Sequence, residues 1–422
     1  MNQQCDLVDS KIDWIGNVPK KWEKTILGKH IDISSGFAFS SEDFDLEEGI
    51  PVIRIRDLVK GKTGSFVLKE PDFPTYVEND SILVGMDGDF NAIWWRGGRA
   101  LLNQRIALVN VKNNIDKKFL YYFLQEPLRN IHGNTLFTTI KHLSNSNLEQ
   151  MRCYIPKKET QINIRKYLDD KIGKIDVEIN KNLKLVKLII EKENALVNHV
   201  ILKGMESDNK MEFSGFEWIG NVPKHWTNLK FFNILNEKEI RNNDNVDRKM
   251  LSVSQYFGIV EKEYESNELI KNNEDLSKYK VVKENDLVVN VMWLQFRGIA
   301  VSFLNGIVSP DYKVYEINLK KIDPHFLNYL VRSDVYLNEY PRHLRGIRPN
   351  SSRIINYDLM RLPLRLPSIL EDQQNIVKYL DEEIEKMKKV VDKTNLQIKN
   401  LKQARLSLIY SVTTGKVNPI TK

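Results

Sequence analysis

Glu159-Thr160-Gln161-Ile162-Asn163-Ile164-Arg165-Lys166-Tyr167-Leu168-Asp169-Asp170 returns as Glu371-Asp372-Gln373-Gln374-Asn375-Ile376-Val377-Lys378-Tyr379-Leu380-Asp381-Glu382, with eight of twelve positions identical at an offset of 212. Each copy opens a helical seam. A 4-3 step from Leu168 visits Ile172, Ile175, Ile179, Asn182, Val186, Ile189, Glu193, Leu196 and Val200. Adding 212 gives Leu380, Ile384, Met387, Val391, Thr394, Ile398, Leu401, Arg405, Leu408 and Val412. Eight of ten positions are apolar in both series, and the polar breaks coincide. Apolar residues at this period predict two coiled-coil helices, each about 33 residues and roughly 50 Å long.

A second repeat lies upstream of each helix. Trp14-Ile15-Gly16-Asn17-Val18-Pro19-Lys20-Lys21-Trp22 recurs as Trp218-Ile219-Gly220-Asn221-Val222-Pro223-Lys224-His225-Trp226, eight of nine identical at an offset of 204. Two such matches in one order mean a tandem duplication. Between the anchors the halves diverge, with echoes at Glu78-Asn79-Asp80 and Glu284-Asn285-Asp286. Short apolar runs bounded by Gly, Asn or Asp, such as Val52–Ile55, Ser81–Val84 and residues 286–290, read as strands. One short helix per module is expected, over residues 117–124 and 324–331, the second capped by Asp323.

The expected fold class is therefore α+β: two β-rich modules, residues 1–156 and 209–367, each followed by a helical segment, 157–208 and 368–422. The economical burial for the two seams is against each other. An antiparallel pair relates the halves by a pseudo-two-fold and sets Asn182 opposite Arg405 and Glu193 opposite Thr394, two polar layers fixing register.

Composition narrows the function. The 422 residues carry 63 Lys and Arg against 56 acids, a formal charge of +7, with 41% hydrophobic and 28% charged residues. This is a globular composition with a mild basic excess. No run approaches the roughly 18 apolar residues of a membrane span, and the N-terminus lacks a signal-peptide pattern. Two cysteines, Cys5 and Cys153, exclude a disulfide framework and suit a reducing cytoplasm. There is no GxxxxGK[ST], HExxH or GxSxG. Ser309-Pro310-Asp311-Tyr312 approaches an amino-methyltransferase motif but lacks its second proline, and no glycine-rich cofactor loop accompanies it. No catalytic residue, metal site or cofactor is assigned to the chain.

The doubled Trp-Ile-Gly-Asn-Val-Pro opening, the Glu-x-Gln-x-x-Ile-x-x-Tyr-Leu-Asp runs and the closing Thr414-Gly415-Lys416-Val417 resemble the specificity subunit of type I restriction-modification systems, across essentially the whole chain. Pro156-Lys157-Lys158-Glu159 departs from the family's more apolar approach to the helix. The resemblance implies two target recognition domains, each reading half of a bipartite, asymmetric site in double-stranded DNA. It implies helices that set half-site spacing and dock methyltransferase (modification) subunits, two of them. Those partners methylate adenine N6 with S-adenosylmethionine, and restriction subunits add ATP- and Mg-dependent cleavage.

Local charge nominates DNA contacts. Residues 90–115 contain no acid but include Arg96, Arg99, Gln104 and Arg105, and residues 127–148 contain Thr138, Thr139 and Lys141. In the second module, residues 341–357 hold Arg342, Arg345, Arg348, Asn350, Ser352 and Arg353 without an acid, and Arg297 sits on a separate loop. Arg, Asn and Gln suit base edges, whereas Lys, Ser and Thr suit phosphates. The competing reading of each is a solvated surface charge. Trp94 and Trp95 read as core before stacking platforms, and Trp14, Trp22, Trp218 and Trp226 as scaffold. A coiled-coil interaction scaffold with two basic domains is the alternative for the whole chain, and a methyltransferase or nuclease with an unseen motif is a third.

Overall fold

A computed structural model describes residues 6–44, 47–88, 90–112, 114–134, 142–206, 210–243, 248–262, 276–346 and 353–419. They form two compact units, Met1–Leu183 with Asn395–Lys422, and Lys184–Thr394. The division cuts across the four sequence segments, because each unit holds one module and a part of both long helices.

Those helices run from Lys158 to Lys203 and from Leu370 to Thr413, 46 and 44 residues. They exceed the seam by about ten residues at their N-terminal ends, where the duplicated Glu-x-Gln run is itself helical. Both stop at a glycine in the left-handed region, Gly204 at φ +76° and Gly415 at φ +74°, as a helix C-terminus favours.

Each module is built around the same four-stranded sheet. In the first unit the order is Ile31–Ser35, Ile106–Val111, Ile82–Gly85, Ala92–Trp94; in the second it is Leu235–Glu237, Lys313–Ile317, Asp286–Val289, Ile299–Val301. Two further pairings repeat. Leu7–Asp9 with Asn17–Pro19 corresponds to Met211–Phe213 with Asn221–Pro223, and Glu23–Ile26 with Arg152–Ile155 corresponds to Thr227–Lys230 with Pro363–Leu366. The module helices are Lys117–Asn134, longer than expected and carrying Pro127, and Pro324–Arg332, where the Asp323 carboxylate accepts from the His325 and Phe326 amides at 2.9 and 3.0 Å.

Module and helix are locked by one device made twice. Buried Gln161 donates to the Pro156 and Asn114 carbonyls at 2.8 and 3.3 Å and accepts from the Asp116 amide at 2.8 Å. Buried Gln373 donates to the Pro367 and Lys321 carbonyls at 2.9 and 3.3 Å and accepts from Asp323 at 2.8 Å. About two turns further along each long helix, Tyr122 donates to Asp169 at 2.8 Å and Tyr329 to Asp381 at 2.6 Å. Burial and the adjacent carboxylate push both phenols upward, so they remain donors.

In the first unit Ile164, Leu168 and Ile172 share a core with Ile409 and Val412 of the second helix and with Phe119 and Phe123 of the module. In the second, Val200, Ile201 and Leu202 pack with Ile376, Val377 and Leu380 and with Phe326, Leu330 and Tyr336. In both units the start of one helix meets the end of the other, so the segments run antiparallel. Along the seam Leu168, Ile172, Ile179, Leu380, Met387 and Ile398 are buried, while Ile175, Val186, Ile189, Ile384, Val391 and Leu401 are half-buried.

The register differs from the expected one. Arg405 Nε meets Asp176 Oδ1 at 2.9 Å, six residues before Asn182. Asn182 instead lines a surface groove with Gln397, Asn400, Leu401 and Ala404. Thr394 is buried and spends its hydroxyl on the Val390 carbonyl, and Glu193 lines a cleft with Arg297 and Tyr329. Centring on the seam alone ignored the extra helical turns before Leu168 and Leu380 and the charge match at Asp176. Arg405→Leu therefore lowers stability, because a partly buried carboxylate loses its partner. A melting temperature down by a few degrees is expected, equivalent to about 1 kcal/mol for a half-exposed pair, and Asp176→Leu/Arg405→Leu should recover much of it.

Candidate nucleic-acid interface

In the first unit, the acid-free run folds as two turns at opposite ends of the strand Ala100–Leu102. The turn carrying Arg96 and Arg99 is fixed from beneath. Trp95 is fully buried and its Nε1 donates to the Gly98 carbonyl at 2.7 Å. A Cβ on Gly97 would lie 2.3 Å from that indole, and Gly98 has φ +86°. Asn79 Oδ1 accepts from the Gly98 amide at 2.9 Å. Both arginines project outward. Arg96 Nε is 3.8 Å from Asp80, and Arg99 Nε is 3.5 Å from Glu78 with its guanidinium 4.2 Å from the centre of the Tyr76 ring. Long, exposed ion pairs are weak, so both guanidinia are available to an incoming phosphate or base. Trp94 is half-buried, donates to Asp80 at 2.7 Å and packs on Tyr121; it is scaffold, as is Trp95.

Gln104 and Arg105 lie on the turn into Ile106–Val111 and are exposed. Arg105 is tied to Asp87, which also pairs with His142 Nδ1 at 2.7 Å. Burial acts to raise the Asp87 carboxyl, but its hydrogen bonds with Arg105 and His142 outweigh that and hold it below its ordinary range. Thr138, Thr139 and Lys141 lie outside the described residues.

In the second unit, Arg342 pairs with Glu339 at 2.6 Å, and Arg345 grips Asp358 with two hydrogen bonds of 2.9 and 3.1 Å. The fold supplies acids from outside the acid-free window, which a linear charge count misses. Arg345 and Arg353 face each other across the Leu344–Arg345 and Arg353–Ile354 ladder and are both exposed. Arg348, Asn350 and Ser352 lie outside the described residues. Arg297 adopts φ +62° and pairs with Asp334 at 2.9 Å. The structure thus groups Arg96 with Arg99 and Arg345 with Arg353, and holds Arg105, Arg297, Arg342 and Arg345 on acids.

Sequence reasoning overlooked a further acid-free run, residues 287–310. It also overlooked Arg332, whose guanidinium is largely buried and donates to backbone carbonyls of two loops. Burial, helped by neighbouring Arg297, lowers its pKa to about 10, leaving it protonated at neutral pH. Cys153 is buried and its thiol is pushed up to about 12 by desolvation, unlike an activated nucleophile. Among the described residues no group of three His, Cys, Asp or Glu side chains is placed to hold a metal, and no helix is long and apolar enough to cross a membrane.

Residues 19–187 match the family model of the type I restriction modification DNA specificity domain. The chain is 25% identical to the type I restriction enzyme EcoBI specificity subunit of Escherichia coli, over 96% of this chain and 89% of that one. It is 24% identical to the type I restriction enzyme MjaVIII specificity subunit of Methanocaldococcus jannaschii, over 95% of this chain and 94% of that one. In fold it is similar to a chain solved in work on complex assembly and conformational transition of the type I R-M system, with a TM-score of 0.60, 12% identity, and 95% and 99% of the two chains covered.

Proposed function

We propose that this chain, which belongs with the type I restriction-modification specificity subunits, directs methyltransferase partners to a bipartite, asymmetric DNA site and does no chemistry itself. Each module reads one half-site. The two long helices set the separation of the half-sites and dock two modification subunits, which bring S-adenosylmethionine and methylate adenine N6. Restriction subunits, where present, bring ATP and Mg.

The observation that carries this reading is the doubled latch. Gln161 with Asp116 and Gln373 with Asp323 hold two modules on helices in the same way, while the loops between the shared elements carry unlike side chains. A common mount with two different faces suits a protein that reads two different short sequences. Exposed arginines on a rigid turn suit the base edges and phosphates of the groove.

Methylation-sensitive sequencing of a host genome tests it, with this chain expressed alone, with its cognate methyltransferase subunit, and with neither. A bipartite methyladenine motif that needs both proteins is the expected result. Methylation by this chain alone would overturn the absence of chemistry, and no motif with the verified partner present would leave the interaction scaffold. Within the same assay, Arg96→Ala/Arg99→Ala should relax or weaken only one half-site. For binding to a duplex carrying the motif, an affinity loss of about tenfold is expected if one arginine reads a base. A salt dependence flatter by about one unit of slope per residue marks a phosphate contact instead.

A further inference from the structure

The two modules differ at one structurally equivalent position in a way that reorganises a surface. Gln125, near the middle of the first module helix, donates to the Ala92 carbonyl at 3.0 Å. Its counterpart at the end of the second is Arg332, which donates to Ile299, the residue matching Ala92, at 3.1 Å. The longer, charged side chain reaches further. It also bonds the Arg297 carbonyl at 3.2 Å, that of Ser254 at 3.4 Å and that of Gln255 at 2.9 Å.

The first loop it pins differs from its counterpart in the first module. There, Ile50–Ile53 and Ser65–Val67 are joined through a short helix, Ile55–Lys60. In the second, Leu251–Ser254 turns tightly into Gly258–Glu261, with Gly258 at φ +73°. The Ser254 hydroxyl accepts from the Tyr256 and Phe257 amides at 3.4 and 3.3 Å. This stiffened tip presents Tyr256 at 76% and Phe257 at 82% exposure. The other pinned loop bears Trp293, 57% exposed, packed against Phe296 at 5.4 Å. Large aromatic side chains held out in water on rigid turns mark a binding element, because desolvation and flexibility both argue against keeping them there.

The surroundings select the partner. The Trp293 loop lies in the acid-free run 287–310, and its Val291 carbonyl accepts from the Ile354 amide at 3.3 Å, joining it to the strand that displays Arg353. Aromatic side chains on a loop joined to the strand that displays Arg353 match a polyanion whose bases offer faces for stacking, and Arg332 pins the Tyr256–Phe257 turn to that same loop. We infer that the Tyr256–Phe257 turn inserts against the bases of the half-site read by the second module, with Arg332 as the residue that positions it. This deepens the proposed function and rests on it.

The test uses the full chain with its methyltransferase subunits in the genome-methylation assay, comparing wild type, Tyr256→Ala/Phe257→Ala, Tyr256→Phe and Arg332→Gln. The double variant should keep the bases of one half-site, lose selectivity in the other, and methylate at least about tenfold less at limiting expression. Arg332→Gln, which installs the first module's residue, should shift the same half-site, and Tyr256→Phe should keep the motif. An unchanged motif and rate in the double variant would sink the inference while leaving the chain's role intact. So would an equal loss at both half-sites, which means global destabilisation, or loss of co-purifying methyltransferase with the motif unchanged, which means a protein-docking patch. A wild-type chain that yields no bipartite motif overturns the reading of the chain and this inference with it.

Discussion

Gln161→Leu should lower the melting temperature of the first unit by roughly 6–12 °C, equivalent to about 3 kcal/mol for a unit of this size. The side chain is 1% exposed and makes three hydrogen bonds to backbone groups that have left their secondary structure: the Pro156 and Asn114 carbonyls and the Asp116 amide. Leucine fits the volume but satisfies none of them. Each buried group left unpaired costs about 1–3 kcal/mol, far more than the net worth of the bond itself, and part of that returns as water reaches the helix end. Gln161→Glu separates packing from bonding, since it keeps the acceptor to Asp116 but loses both donors and buries a charge. It should be as harmful as leucine near neutral pH and less so at low pH, where the carboxyl regains a proton. Differential scanning calorimetry of the full chain decides the matter, and a Gln161→Leu transition within a degree of wild type would refute it.

Because the same bonds surround Gln373, the equivalent loss is expected there, in the other unit. The functional consequence is sharper than the thermal one. Each substitution loosens one module on its helix, so under the proposed function methylation should lose selectivity at one half-site with Gln161→Leu and at the other with Gln373→Leu. A pair of variants that degrade different halves of one motif would assign each module to its half-site without knowledge of any base contact.

The elements legible in the sequence are those whose physics is local or periodic. The seam from Leu168 and its copy from Leu380 are visible because apolar residues recur at helical spacing, and Asp323 before Pro324 announces its helix by capping chemistry alone. Duplication made the mount visible as well, although Gln161 and Gln373 stood only as matching letters until their partners were placed. Register was not legible, because the choice of Asp176 over Asn182 as the partner of Arg405 depends on helical turns outside the seam. Equivalence in the diverged region slips too. The left-handed residues that match are Asp80 and Asn285, at φ +64° and +68°, one position off the echo Glu-Asn-Asp. The basic surface was half legible. Acid-free windows located Arg96 and Arg99, but Glu339 and Asp358 reach Arg342 and Arg345 from outside their window. Arg332, a lone cation in an apolar helix, has no linear signal until the carbonyls it binds are brought together.

Trp95→Ala should be the most damaging single change in the first module, at about 3–5 kcal/mol. The indole is fully buried in a small satellite core with Ile53, Leu58, Val77, Leu83 and Leu102. A core of that size has few neighbours able to collapse into the space, so the cavity cost adds in full to the lost transfer energy. Trp95→Phe keeps most of the volume but drops the bond to the Gly98 carbonyl, for a cost of about 1–2 kcal/mol. The two variants part in function as well. The bond and the ring floor together shape the turn that holds Arg96 and Arg99, so under the proposed function even the milder substitution should blur the half-site assigned to the first module. Chemical denaturation measures the first effect and genome methylation the second. Trp95→Phe with lowered stability and an intact motif would mean that the turn keeps its shape without the indole bond, and that Gly97, Gly98 and Asn79 suffice to aim the arginines.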